Sequence, residues 1–139
     1  MKNNLKAGFL IPTSGILNIL LSIVHQIVLY FSYVQYKSQI MPSQAGLLSE
    51  LLLFSLGMGF VLLFVGIGTL YCYAGIKRGE TWAFHIASAF ALFLLIATTL
   101  VLLVDGFDGF VAYIHLLNAL FIIIPIRINR ESLKKRKMA

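Results

Sequence analysis

Charged residues are scarce in this chain of 139 residues, where they make up 12% of the sequence while hydrophobic residues make up 60%. Soluble domains carry about 25% charged residues, so there is too little charge here to form a water-facing shell. This shortage excludes an ordinary globular enzyme, a nucleic-acid-binding domain and a disordered regulator. Cysteine is almost absent as well, and the single Cys72 excludes an internal disulfide and a cysteine-rich metal site.

Sequence motifs of known chemistry are also missing. The chain contains no nucleotide-binding loop, no nucleophile elbow and no His-Glu-x-x-His zinc motif. The sequence therefore indicates a class of protein and an arrangement of helices, but it does not name a reaction.

Long apolar stretches are what the chain has instead. A bilayer core about 30 Å thick needs about 20 helical residues to cross it, and four stretches reach that length. They cover residues 9–33, 47–76, 82–104 and 110–128, with short separators that require consecutive helices to run antiparallel. The sequence predicts an all-α integral membrane protein, an antiparallel four-helix bundle that forms one domain over residues 1–139 with a basic tail at 129–139.

Positive charge in short loops predicts the orientation, because Lys and Arg resist translocation. With four crossings, all basic residues except Lys37 fall on one side: Lys2, Lys6, Lys77, Arg78, Arg127, Arg130, Lys134, Lys135, Arg136 and Lys137. We therefore expect a multi-pass protein of the cytoplasmic (inner) membrane with both termini inside. The basic tail is interpreted as a topology anchor in preference to a patch for anionic lipid or nucleic acid.

Polar residues in the first and fourth stretches follow helical spacing. The first stretch carries Ser14, Asn18, Ser22 and His25, and the fourth carries Asp108, His115 and Asn118. At about 100° per residue each set falls within about 80°, so each forms one polar face. Because lipid penalises exposed polar groups, we expect the two faces to meet inside the bundle.

The outer half of the bundle is predicted to hold a binding pocket. His25 and His115 lie at similar predicted depths, about 8 to 12 Å below the outer boundary. Glu50 shares a face with Gly57, Gly68 and Gly75, which suggests that its carboxylate points inward too, and Asp105 and Asp108 lie at the outer helix ends. The predicted ligand-binding set is Asn18, Ser22, His25, Glu50, Asp108, His115 and Asn118.

Structural roles compete with that interpretation. The serines can bond to carbonyls of their own helix, the histidines can form structural hydrogen bonds, and the carboxylates can be solvated helix caps.

Three functions fit this set of residues. The first is binding of a small or lipidic ligand, or of a membrane partner, in a polar pocket. The second is a divalent metal held by His25, Glu50, Asp108 and His115, or less readily a haem between the two histidines. The third is a lipid-modifying enzyme or a proton-coupled transporter that uses a histidine as acid and base.

Glycines mark two opposite faces of the second helix, Gly57/Gly68/Gly75 and Gly59/Gly66. Small residues allow close helix packing in membranes, so these faces predict either a central packing helix or a contact with a second copy or another membrane protein. Apart from the lipid bilayer and such partners, no nucleic-acid partner is expected.

The segment between the second and third stretches has a recognisable pattern. It reads Gly75-Ile76-Lys77-Arg78-Gly79-Glu80-Thr81-Trp82-Ala83-Phe84. This pattern of Gly, an aliphatic residue, two basic residues and then Trp-Ala-aromatic resembles a hairpin of small bacterial four-span membrane proteins of uncharacterised function. The resemblance covers about ten residues and the general span layout. It implies a cytoplasmic turn with a headgroup-level Trp, and no active-site residues.

Overall fold

The computed structural model describes residues 8–37, 45–105 and 110–137. These residues form four helices and no strand: α1 (Leu10–Lys37), α2 (Ala45–Arg78), α3 (Thr81–Asp105) and α4 (Phe110–Lys137). Each helix contains a segment long and apolar enough to cross a membrane, namely Leu10–Gln35, Leu52–Arg78, Thr81–Leu100 and Ala112–Asn129. The predicted all-α four-helix membrane bundle is confirmed.

The helices extend beyond the apolar segments at several ends. α4 continues to Lys137, so most of the predicted basic tail at 129–139 is helical. Arg, Glu, Leu and Lys, which dominate this stretch, are all good helix formers, so a helix that starts in the membrane has no local reason to stop at its surface.

The four helices form a closed ring. α1 packs against α2 and α4, and α3 also packs against α2 and α4, while the described residues of the two diagonal pairs make no contact. The end of the bundle that holds the connection Gly79–Glu80 is called the turn end. The opposite end, where α3 ends at Asp105 and α4 begins at Phe110, is called the far end.

The backbones of α1 and α2 come into close contact at Gly15 and Gly66. A Cβ atom added to Gly66 would lie 2.8 Å from the carbonyl oxygen of Gly15, and one added to Gly15 would lie 3.0 Å from that of Gly66. The first distance is shorter than a packed carbon and oxygen allow, and the second is tighter than most packed contacts. The crossing therefore requires glycine at position 66 and leaves little space at position 15, as close helix pairs in membranes commonly do.

Most glycines of the two predicted faces of α2 pack against neighbouring helices of the same chain. Gly59 faces Gln26 of α1, whereas Gly68 faces Phe90 and Gly75 faces Ala83, both on α3. Gly57 alone of this set has open space around the position of a Cβ. The glycine faces thus support packing of α2 between its two neighbours, and among the glycines of these two faces Gly57 is the one not packed against a neighbouring helix.

Apolar side chains fill the interior of the turn-end half and also cover the outside of the bundle. The turn-end interior contains Ile11, Ile76, Ala83, Ile122 and Ile126, all buried. On the outer surface large apolar side chains are exposed along every helix, among them Phe31, Leu53, Phe64 and Leu103. An apolar outer surface of this extent suits lipid and not water.

The connection between α2 and α3 is a tight, well-bonded turn. Gly79 has a φ of 77°, a left-handed conformation that glycine adopts at little cost. Its amide donates to the carbonyl of Ile76, and the amide of Glu80 donates to that of Gly75, each at 3.0 Å. These bonds satisfy carbonyls at the end of α2 that would otherwise lack a partner.

The carboxylate of Glu80 links the two sides of this turn. It accepts a hydrogen bond of 2.6 Å from Nε of Arg78 and one of 2.8 Å from Nε1 of Trp82. The hydrogen bond from Arg78 lowers the pKa of Glu80, and the bond from Trp82 acts in the same direction. The residues of the Gly75–Phe84 pattern are therefore those that build this turn.

Candidate functional site

A buried hydrogen-bond network joins α1 to α4 in the middle of the bundle. The side-chain amide of Asn118 donates to Oδ1 of Asn18 at 3.2 Å, and the hydroxyl of Ser14 donates to the backbone carbonyl of Asn118 at 3.1 Å. Asn18 in turn donates to the carbonyl of Ser14 at 3.0 Å. All three side chains are fully buried. The polar faces of α1 and α4 do meet at this level.

Farther toward the far end, the polar face of α1 turns to α2 instead. The hydroxyl of Ser22 donates to the carbonyl of Gly59 at 2.7 Å. Nε2 of His25 lies 2.9 Å from the carbonyl oxygen of Ser55 and 3.0 Å from its hydroxyl, so the ring donates to the carbonyl or accepts from the hydroxyl according to its tautomer. A polar arc about 80° wide faces the bundle centre and so reaches both neighbouring helices. The sequence pattern alone indicates only that the arc faces inward.

This network leaves buried polar atoms of α4 without a hydrogen-bond partner, and the first belongs to His115. Its side chain is only 6% exposed, and Nδ1 has no hydrogen-bond partner in the part of the chain that the structure describes. The same holds for Oδ1 of Asn118, one helical turn away on the same face. A buried polar atom left unpaired costs about 1–3 kcal/mol, so two neighbouring ones need an explanation.

The two predicted histidines do not lie at the same level. Measured from the hydrogen bond between Asn18 and Asn118, His25 lies seven residues toward the far end and His115 only three. At 1.5 Å per residue this places His25 about 6 Å nearer the far end, whereas the sequence predicted similar depths. Ser22 is the polar residue of α1 nearest the level of His115. The name polar layer is used below for Asn18, Ser22, His25, His115 and Asn118.

The predicted carboxylates do not join this layer in the described residues. Glu50 was expected to point inward, but its side chain is exposed. It lies five residues from the start of α2 at Ala45, near the end of the bundle, where its charge can remain hydrated and burial would bring a large cost. Asp108 lies outside the described residues, and so does the side chain of Asp105.

The predicted metal set of His25, Glu50, Asp108 and His115 therefore has little support. No group of three His, Cys, Asp or Glu side chains comes together within the described ranges. The two imidazoles alone would leave a divalent cation without the further ligands that it usually takes from the protein.

The polar layer is closed toward the turn end by apolar side chains. Ile122 follows Asn118 by one helical turn, and Ile11 and Ile76 lie beyond it, all buried. The one buried polar side chain described on α2 in that direction, Thr69, donates to Val65 of its own helix at 2.7 Å. Within the described residues the interior beyond Asn118 is thus mainly apolar, and its buried polar side chains, Ser14 and Thr69, are both hydrogen-bonded.

An apolar groove lies beside the polar layer, between α1 and α2 toward the far end. Its cavity measures about 360 Å³ and is lined by Gln26, Leu29, Tyr30, Tyr33, Leu52 and Leu56. Gln26 donates to the carbonyl of Leu56 at 3.2 Å and forms the boundary between the groove and the His25 contacts. The groove opens sideways, where Tyr30 is 64% exposed.

Sequence reasoning missed Ser55 and Gln26 as partners across the α1–α2 interface. Ser55 lies four residues before Gly59, on the same face as the Gly59/Gly66 pair. A polar residue on a face marked by glycines is a signal that would have identified it. Gln26 directly follows His25 and borders the polar arc of α1.

No protein-family model, curated protein or solved structure matches this chain. The likeness of the segment 75–84 to small bacterial four-span proteins therefore remains a prediction, and the site is interpreted from its own geometry.

Proposed function

We propose that this chain is a multi-pass membrane protein that binds a small or lipidic ligand in the polar layer. The observation that carries the proposal is the pair of buried atoms without partners, Nδ1 of His115 and Oδ1 of Asn118. Buried polar groups are normally hydrogen-bonded, and a bound ligand that reaches both atoms would supply what the described residues do not.

The one-sided shape of the polar interior favours binding over transport. A transport path needs polar groups on both sides of its centre. Between Asn118 and the turn end the described interior is apolar apart from Ser14 and Thr69, whose hydroxyls already donate to backbone carbonyls. The third function, with His25 or His115 as acid and base, needs a second catalytic group. Among the described carboxylates, Glu50 is the nearest in sequence to His25. Its side chain is exposed, so it does not supply that second group.

We further propose that the far end faces away from the cytoplasm, in the cytoplasmic membrane of a bacterial cell. The turn end gathers Lys77, Arg78 and Arg127, and positive charge in short loops is retained on the cytoplasmic side. The ligand would then enter from the outer side or from the outer leaflet.

Native mass spectrometry of the protein released from detergent tests the binding proposal. We expect the wild-type protein to carry a non-covalent mass that His115→Leu loses, since leucine has a similar volume and no hydrogen-bonding atom. His85→Leu is the matched control, because His85 is an exposed histidine of α3. It should retain the bound mass.

Identical bound masses in all three proteins, or no bound mass in any, would contradict the proposal. Thermal stability adds a second readout. If Nδ1 of His115 has no partner at all, leucine should leave the melting temperature unchanged or raise it, because an unpaired buried group is removed. If a ligand pairs with Nδ1 in the wild-type protein, His115→Leu should melt at a lower temperature than the ligand-bound wild type, because the stabilisation by binding is lost.

A further inference from the structure

We infer that the ligand is a neutral amphiphile with a hydroxyl group, whose hydroxyl enters the polar layer and whose apolar chain lies in the groove between α1 and α2. The inference rests on the proposed function and names the chemical class of its ligand. Three properties of the described residues lead to it: the type of the unpaired atoms, the lack of buried charge, and the position of the groove.

The unpaired atoms require a hydrogen-bond donor. Oδ1 of Asn118 is an amide oxygen, which only accepts, and the amide nitrogen of the same side chain already donates to Asn18. Nδ1 of His115 accepts or donates according to its tautomer. A hydroxyl group donates once and also accepts, so it can donate to Oδ1 of Asn118 while it accepts from Nδ1 of His115 in the tautomer that carries the proton there. A carboxylate, ester or ketone has no donor for Oδ1.

The buried interior carries no permanent charge in the described part of the chain. Its polar side chains are hydroxyls, amides and one imidazole: Ser14, Asn18, Ser22, Thr69, Thr98, His115 and Asn118. A charged ligand would lose its hydration and find no opposite charge among them, which strongly disfavours its burial. A neutral ligand avoids this cost.

The position of the groove indicates that the ligand also has an apolar chain. Leu29 lines the groove and lies four residues after His25, on the same inward face of α1. Leu52 and Leu56 line it on α2, on either side of Ser55, which contacts the His25 ring. The groove thus adjoins the edge of the polar layer, with Gln26 at the boundary, and opens to the lipid side. An apolar chain that enters from the bilayer can lie in the groove while its polar end points toward His25 and His115.

Oleyl alcohol is a direct probe of this class, measured by native mass spectrometry of the delipidated wild-type protein in detergent. Methyl oleate has the same chain but no donor, oleate has a charge, and glycerol has hydroxyls without a chain. We expect an adduct with oleyl alcohol and about tenfold weaker binding or none with the other three, as loss of one hydrogen bond or of the chain would give.

Two substitutions test whether the probe binds at His115 and in the groove. His115→Leu should weaken binding of oleyl alcohol about tenfold by removing one hydrogen-bonding partner. Leu52→Trp should weaken it at least as much by filling the groove. Leu103→Trp is the matched control, since Leu103 is a 77% exposed leucine on α3 near the same end of the bundle, and it should leave binding unchanged.

The outcomes separate this inference from the proposed function. Equal binding of methyl oleate, or binding that Leu52→Trp removes and His115→Leu does not, would overturn the hydroxyl assignment. If glycerol binds and oleyl alcohol does not, the assignment of an amphiphile is wrong, and the hydroxyl belongs to a small polyol. If oleyl alcohol fails while a co-purified mass still depends on His115, the ligand class is wrong and the binding function stands.

Discussion

The side chains of Asn118 and Asn18 are hydrogen-bonded across the α1–α4 interface, with Nδ2 of Asn118 donating to Oδ1 of Asn18 over 3.2 Å. Both residues are fully buried. Because the hydroxyl of Ser14 also donates to the backbone of Asn118, this contact sets the relative height of α1 and α4. The positions of His25 and His115 in the interior follow from it.

Replacing one asparagine of this pair should destabilise the protein more than replacing both. Asn118→Leu leaves Oδ1 of Asn18 without its donor, which we expect to cost about 1–3 kcal/mol. In the double variant Asn18→Leu/Asn118→Leu no such group remains, so part of the stability should return. Reversible unfolding in mixed detergent micelles measures the free energy of unfolding of all four proteins.

The double-mutant cycle gives the coupling energy of the pair. Hydrogen bonds between membrane helices average about 0.6 kcal/mol, so a coupling between about 0.5 and 2 kcal/mol is expected. A coupling of zero would show that the two side chains do not interact in the membrane protein. Ser88→Ala is a useful reference, because Ser88 is exposed and bonds only to its own helix at Phe84.

Helix number and the inward direction of the polar faces were predictable because both depend on strong periodic signals in the sequence. Apolar length defines the spans, and a polar arc of about 80° on α1 must avoid lipid. The choice between neighbours was not predictable. Ser14 and Asn18 contact α4 while Ser22 and His25 contact α2, and this division depends on the crossing of α1 and α2 at Gly15 and Gly66.

The inward placement of Glu50 was wrong for a physical reason that the sequence did contain. Its helical face was read from the glycines of α2, but Glu50 lies only five residues after the start of α2 at Ala45, near the end of the bundle. Outside the hydrocarbon core a carboxylate has no need of a protein partner, so the helical face does not determine where it points. Depth and face have to be considered together for ionisable residues near the ends of a span.

Gly66→Ala should weaken the contact between α1 and α2. The added methyl group would meet the carbonyl oxygen of Gly15 at 2.8 Å and the backbone nitrogen of Ile19 at 3.0 Å, and backbone atoms cannot move aside without moving the helix. We expect a loss of about 1–3 kcal/mol in the free energy of unfolding. The bond between Ser22 and Gly59 should lengthen as the helices separate.

Gly57→Ala provides the matched control on the same helix. Nothing lies within 4 Å of the position of its Cβ, so no clash is expected. Alanine is the better helix former by about 1 kcal/mol, and the variant should be as stable as the wild type or slightly more stable. If the two alanine variants unfold alike, Gly66 does not lie at a tight crossing.

The turn between α2 and α3 should lose stability in acid. The pKa of Glu80 is lowered by its hydrogen bond from Arg78, so the stabilisation by the carboxylate is present above the pKa of the unfolded chain and is lost as the pH falls through the folded value. Glu80→Gln should therefore lower the melting temperature near neutral pH, and the difference from wild type should shrink in acid.

Melting temperatures of both proteins between about pH 7 and about pH 3 measure this effect. Glu50→Gln serves as the reference, because the Glu50 side chain is exposed at the far end and takes no part in the turn. A difference between wild type and Glu80→Gln that is the same across this range would mean that the charge of Glu80 does not stabilise the turn.

Cysteine labelling in intact cells tests the orientation. Glu50 and Arg127 are both exposed and lie toward opposite ends of the bundle, and the natural Cys72 is buried. A membrane-impermeant maleimide should label Glu50→Cys from outside, whereas Arg127→Cys should react only after the membrane is opened. Since retention of Lys and Arg in the cytoplasm is the reason for the expected topology, the reverse pattern would place the far end, and with it the entrance to the polar layer, on the cytoplasmic side. The ligand would then have to come from the cytoplasm or the inner leaflet.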